Sequence, residues 1–198
     1  FLVGCSLLSH AQNWLWGIEG TGAGNMEVFD AVADNAGNGY IAGSFYNTLQ
    51  FGTHNFFSNF EDMWVVKYDS SGQLVWGIQT HAAPGSNAAY GNVLKKDNKG
   101  GLYITGGFSG VVHFTATDSL CNKGYKDFFL AKYDTGGNFL WANRSFFSSY
   151  YSSGGPLSVA VDNGGNVYAT GGFKDTISFG KDTLVTNAKN GSFFIIKY

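Results

Sequence analysis

The chain has 198 residues, of which 17% are aromatic and only 13% are charged. Its formal net charge of -2 argues against nucleic acid as a partner, because binding to phosphates requires clustered lysine and arginine. Glycine is abundant at 29 residues and proline is scarce at 2. This composition predicts a sheet protein with many tight turns.

The first eleven residues resemble the end of a secretory signal peptide. Residues 1–9 are mostly apolar, and Ser9 and Ala11 place small residues at the two positions that a signal peptidase reads. We therefore expect residues 1–11 to be a signal peptide remnant and the mature protein to be secreted or displayed at the cell surface. In the alternative, residues 2–5 (LVGC) form a lipobox and Cys5 carries a lipid anchor. No segment approaches the roughly 20 apolar residues that span a bilayer.

The remainder, residues 12–198, contains three copies of one repeat. The strings DNAGNGYIAGSF, DNKGGLYITGGF and DNGGNVYATGGF begin at positions 34, 97 and 162. A second landmark, DMWVVKYDSSGQLVW at position 62, returns as DFFLAKYDTGGNFLW at position 127 and in part as SFFIIKY at position 192. Phe51, Phe114 and Phe179 recur in the same frame. Steps of 63 and 65 residues between these landmarks indicate a repeat architecture.

Each copy is predicted to form two β-hairpins, which give the four antiparallel strands of a propeller blade. The fold class is therefore all-β, a β-propeller fragment of about three blades at residues 28–76, 91–141 and 157–198. Residues 13–18 match only a fourth strand and are available for ring closure. Three blades cannot close a ring, so we expect further blades of the same chain, or a second copy, as partners.

Five aspartates lie where hairpin turns begin, and there a carboxylate accepts hydrogen bonds from backbone N–H groups. We predict this structural role for Asp34, Asp69, Asp97, Asp134 and Asp162. Asp62 and Asp127 precede the third strand in register, which also indicates a role repeated in each blade.

The combined pattern D-x-x-G-N-x-Y-x-x-G-x-F, F-G and D-x-F-x-x-K-Y-D-x-x-G-x-x-x-W resembles the SBBP-type repeat of bacterial seven-bladed β-propellers. The resemblance covers nearly everything after Gln12. It implies an exported protein, of a kind that often carries a C-terminal type IX sorting domain, with a role in adhesion or interaction. It implies no catalytic residues.

Nothing in the sequence has the spacing of a catalytic, metal or cofactor site. The histidines that follow the predicted signal, His54, His81 and His113, show no ligand spacing. We therefore expect no cofactor, no metal site and no catalytic residue. The alternative is a propeller enzyme that acts on polysaccharide or peptide, with active residues partly in blades outside this sequence.

The long connections at residues 77–92 and 142–158, with the stretches around 47–61 and 109–126, are the expected binding surface, because function tends to reside on loops. Their aromatic and polar residues suit a binding surface. The candidates are Phe146, Phe147, Tyr150, Tyr151, Tyr90 and His81. In the alternative, the aromatic rings pack between blades. The sequence thus favours a non-catalytic scaffold that binds a protein or glycan of unknown identity.

Overall fold

The computed structural model describes residues 15–122, 126–147 and 155–198. Within these ranges the chain forms antiparallel sheets and no helix, which confirms the all-β class and a propeller-like arrangement. The same ranges consequently offer no helix of the length and hydropathy needed to cross a membrane.

The first copy forms a complete four-stranded blade. Its strands pair in the order β1 (Met26–Ala33), β2 (Gly39–Phe51), β3 (His54–Tyr68) and β4 (Leu74–Gln79). Side chains alternate across β2 as the pleat requires. Tyr40 and Ala42 face the second blade, whereas Ile41 faces the opposite side.

The second copy repeats this plan, and the third copy forms the first three strands of it. A two-residue strand, β5 (His81–Ala82), leads to the second copy. The third copy consists of a three-stranded sheet and one hairpin. The strands of the second copy are β6 (Asn87–Lys96), β7 (Gly101–Ser109), β8 (Val111–His113), β9 (Ser119–Cys121), β10 (Asp127–Asp134) and β11 (Phe139–Phe147). Those of the third are β12 (Gly155–Val161), β13 (Val167–Phe173), β14 (Thr176–Phe179), β15 (Asp182–Val185) and β16 (Ser192–Lys197).

The three blades stack face against face. Met63 and Val65 of β3 pack in one cluster with Leu94 and Ile104 of the second blade, whereas Trp64 and Val66 pack on the other side of β3. The second blade buries its far face on the third through a cluster that contains Tyr103. Burial on both faces explains why β3 and β10 are apolar without alternation, whereas Phe193 and Ile195 of β16 are exposed.

The structure departs from three separate sheets at one end of the blades. There the β8–β9 hairpin pairs with β5, and the β14–β15 hairpin pairs with the end of β11. Each hairpin thus joins the strand that leaves the preceding blade, and the second blade becomes part of a six-stranded sheet. The pairing satisfies backbone groups at the exposed ends of the fourth strands.

The segment before the first blade makes contacts that match those made by the fourth strand of the first blade and the residues after it. Thr21 exchanges backbone hydrogen bonds with Gln50. Gln50 occupies in the first copy the repeat position that His113 occupies in the second, where His113 pairs with His81. Trp16 Nε1 donates to Ser70 O at 3.2 Å. In the same way, Trp76 Nε1 donates to Thr135 O at 3.2 Å in the corresponding turn of the second blade. Of the predicted strand at 13–18, residues 13 and 14 lie outside the described ranges. Residues 15–18 have no sheet partner among the described residues.

At the opposite end of the blades, each predicted turn aspartate accepts hydrogen bonds from its own turn. Asp34 Oδ1 accepts from the N–H groups of Ala36 at 3.0 Å and Asn38 at 2.9 Å, and its Oδ2 accepts from Tyr40 at 3.1 Å. Gly37 completes this turn at a φ of 82°, which glycine adopts without strain. The same bonding recurs at Asp69, Asp97, Asp134 and Asp162.

These turns make stability sensitive to acid. The hydrogen bond from the Asn38 side chain, with those from backbone N–H groups, lowers the pKa of Asp34 from its ordinary 3.8 to about 2. Because the folded pKa is the lower one, its stabilisation is present above pH 3.8 and is lost as pH falls through about 2. We expect urea unfolding of Asp34→Asn to show a shallower pH dependence in this window than wild type. Identical slopes would contradict the assignment.

Candidate ligand-binding rim

We use the name hairpin rim for one end of the blades. At this end β3 and β10 begin, and β4 and β11 end. The first residue of the repeated third-strand motif, Asp62 in one blade and Asp127 in the next, is buried at this rim, with exposed fractions of 1% and 3%. A buried carboxylate is costly unless it is paired or hydrogen-bonded. The two blades meet this requirement differently.

In the second blade the carboxylate is paired with a guanidinium. Arg144 Nη1 lies 3.0 Å from Asp127 Oδ2. The guanidinium carbon of Arg144 also lies 3.7 Å from the centroid of the Phe146 ring. The cation is therefore held between a carboxylate and an aromatic face, an arrangement that the planar guanidinium favours.

In the first blade the carboxylate accepts hydrogen bonds from neutral groups. Ser58 Oγ donates to Asp62 Oδ2 at 2.5 Å, and the N–H of Ala82 donates to Oδ1 at 2.8 Å. Thr80 Oγ1 also lies 3.3 Å from Oδ1. Burial raises the pKa of Asp62 above its ordinary value, although the hydrogen bonds and nearby His81 oppose this effect.

The residues that follow β4 explain this difference. Positions 79 and 81 correspond to 144 and 146 of the second blade, so Gln79 replaces Arg144 and His81 replaces Phe146. The Gln79 amide nitrogen donates to Phe57 O at 3.0 Å and lies 3.3 Å from His81 Nδ1. Its side chain is therefore engaged away from Asp62.

A pocket of about 270 Å³ opens beside Asp62. Phe57, which is 58% exposed, and half-buried Phe60 supply aromatic walls. His81 and Pro84 complete the mouth. The pocket thus combines apolar walls with one buried carboxylate, which is the usual composition of a small ligand site.

A larger cleft of about 650 Å³ lies between β11 and β16. Its walls include Arg144, Phe146, Leu184 and Ile195. Within the described residues β16 pairs only with β13, so its other edge is open along this cleft. The cleft is therefore continuous with an unpaired sheet edge.

The structure places two of the predicted binding residues at corresponding points of adjoining blades, His81 and Phe146. Tyr90 lies in β6 and Phe147 in β11, with their side chains outside the described part of the structure. Tyr150 and Tyr151 lie outside the described residues. Asp62 was expected only to have a structural role, and its pocket is an addition. The signal that could have identified it is the alignment of Gln79 with Arg144.

Among the side chains described at this rim, metal-ligating groups do not gather. In the parts of the chain that the structure describes, no three or more His, Cys, Asp or Glu residues form a possible metal site. His81 and His113 are register partners across β5 and β8, which brings together a pair only.

No protein-family model matches the chain, and the search of curated proteins found no similar sequence. The ligand must therefore be inferred from the chemistry of the rim itself.

Proposed function

We propose that the chain is part of an exported β-propeller scaffold that binds a protein or glycan at or outside the cell surface, without catalysing a reaction. The observation that carries the proposal is the pocket beside Asp62, where exposed Phe57 and half-buried Phe60 lie beside a buried carboxylate. Exposed aromatic side chains that are held by a rigid sheet are typical of binding surfaces.

The rest of the rim supports the same function. Phe146 is exposed at the equivalent point of the second blade, so binding groups recur from blade to blade. The resemblance of the repeat to SBBP-type propellers and the signal-like residues 1–11 support export and an interaction role.

The proposal is tested with arrays of glycans and peptides, using the purified chain. We expect at least one class of probe to bind, and Phe57→Ala to weaken that binding about tenfold or more, as truncation of a central aromatic contact does. Val75→Ala is the matched control, because Val75 is 49% exposed but lies at the opposite end of β4. We expect this control to bind as wild type does.

Two outcomes would contradict the proposal. One is equal loss of binding in both variants, which would place the contact away from the rim. The other is release of products from a polysaccharide or peptide panel, with Asp62→Asn removing that activity. The second result would favour the enzyme alternative.

A further inference from the structure

The second blade shows which group pairs with the buried carboxylate at the start of the third-strand motif. There the guanidinium of Arg144 pairs with Asp127 at 3.0 Å and lies on the Phe146 ring. Both interactions favour a planar cation over a neutral group. The repeat thus provides an internal example of an occupied site.

The first blade has the same carboxylate without that cation. Gln79 holds the arginine position and bonds to Phe57 O instead. Among the described residues, Asp62 forms no ion pair with lysine or arginine. Burial raises the pKa of this carboxyl group, and the hydrogen bonds and His81 offset only part of that effect.

Asp62 retains capacity to accept a further hydrogen bond. Its Oδ1 accepts from Ala82 and Thr80, whereas its Oδ2 accepts from Ser58. An ionised carboxylate has about four acceptor positions, two on each oxygen. Oδ2 therefore has a second acceptor position, and Asp62 lines the pocket.

The pocket has walls suited to a cation with an apolar stem. Phe57 and Phe60 line the pocket with aromatic rings, and His81 occupies the place of Phe146. Aromatic faces attract cations, and the buried carboxylate repels anions. Arginine fits better than lysine because its planar guanidinium both stacks on rings and loses less hydration.

We propose that this pocket binds the guanidinium of an arginine side chain that a partner polypeptide presents, with Asp62 as its counter-ion. The proposal rests on the function proposed above and specifies the partner as a protein. In effect, the partner supplies to the first blade the group that the second blade supplies to itself.

The experiment measures binding of Nα-acetyl-arginine methylamide by NMR titration. The citrulline analogue is its neutral isostere, and the lysine analogue is a compact cation. We expect the arginine probe to bind about tenfold or more tightly than the citrulline probe, as loss of a charge-assisted hydrogen bond requires. We expect the lysine probe to be intermediate.

Two variants test the site from opposite directions. Asp62→Asn removes the counter-ion, and Gln79→Arg fills the pocket with the chain's own guanidinium. Each should weaken arginine binding about tenfold or more. Gln79→Arg should also raise the melting temperature, so that its loss of binding cannot come from unfolding. Asp175→Asn is the control, because it removes an equal charge at an exposed site where asparagine tolerates the φ of 63°.

The proposal is overturned if arginine and citrulline probes bind equally, if neither binds, or if Gln79→Arg leaves arginine binding unchanged. These results can be separated from failure of the proposed function. If Phe57→Ala still weakens binding of an array probe, the scaffold function stands and only the arginine specificity fails.

Discussion

Arg144→Ala is expected to lower the free energy of unfolding by about 3–5 kcal/mol, because it removes the guanidinium that pairs with the buried carboxylate of Asp127. The side chain of Asp127 is only 5% exposed and that of Arg144 22%, so water cannot replace the lost partner easily. Urea unfolding monitored by tryptophan fluorescence measures the effect.

The matched control is Lys95→Ala, which breaks the other ion pair found among the described residues. Lys95 Nζ lies 3.1 Å from Asp30 Oδ2, but the two side chains are 39% and 26% exposed. An exposed pair of this kind contributes about 0–1 kcal/mol. Similar losses in the two variants would mean that burial does not set the strength of the Asp127–Arg144 pair.

Gly43→Ala is expected to lower the free energy of unfolding by about 3 kcal/mol, the upper part of the range for overpacking. A Cβ at this position would lie 2.0 Å from the backbone oxygen of Glu27 and 2.5 Å from Cζ2 of Trp64. Neither atom can retreat easily, since β1 is paired to β2 and the Trp64 ring is buried.

Gly39→Ala is the control for this substitution, because it lies in the same strand and an added Cβ would have no atom within 4 Å. We expect its effect on the unfolding free energy to stay within about 0.5 kcal/mol. Thermal unfolding of both variants gives the comparison. Equal destabilisation would show that glycine's backbone freedom, and not the close approach of β1, explains Gly43.

The blade plan could be predicted from the sequence because each of its causes is local. The turn aspartates and glycines recur at fixed places, and continuous apolar residues such as Met63–Val66 predict a strand that is buried on both faces. The repeat spacing then places each element in its blade. These signals need no knowledge of the neighbouring blade.

The rim could be predicted only in part. Aromatic and polar loop composition selected His81 and Phe146, which do lie at corresponding points of the rim. The pairing of β8 and β14 with the preceding blade depends on how blades are placed side by side, which no local pattern records. The pocket beside Asp62 depends on the orientation of the Gln79 side chain, which is set by its hydrogen bond to Phe57 O.

The backbone pairing of the β14–β15 hairpin with the end of β11 has a consequence for how the molecule resists force. A load that pulls the second and third blades apart must break main-chain hydrogen bonds at Ser145–Phe147 as well as separate apolar faces. Unravelling of one blade would remove the support of its neighbour's last strand. Adjoining blades should therefore yield together under tension, as one mechanical unit.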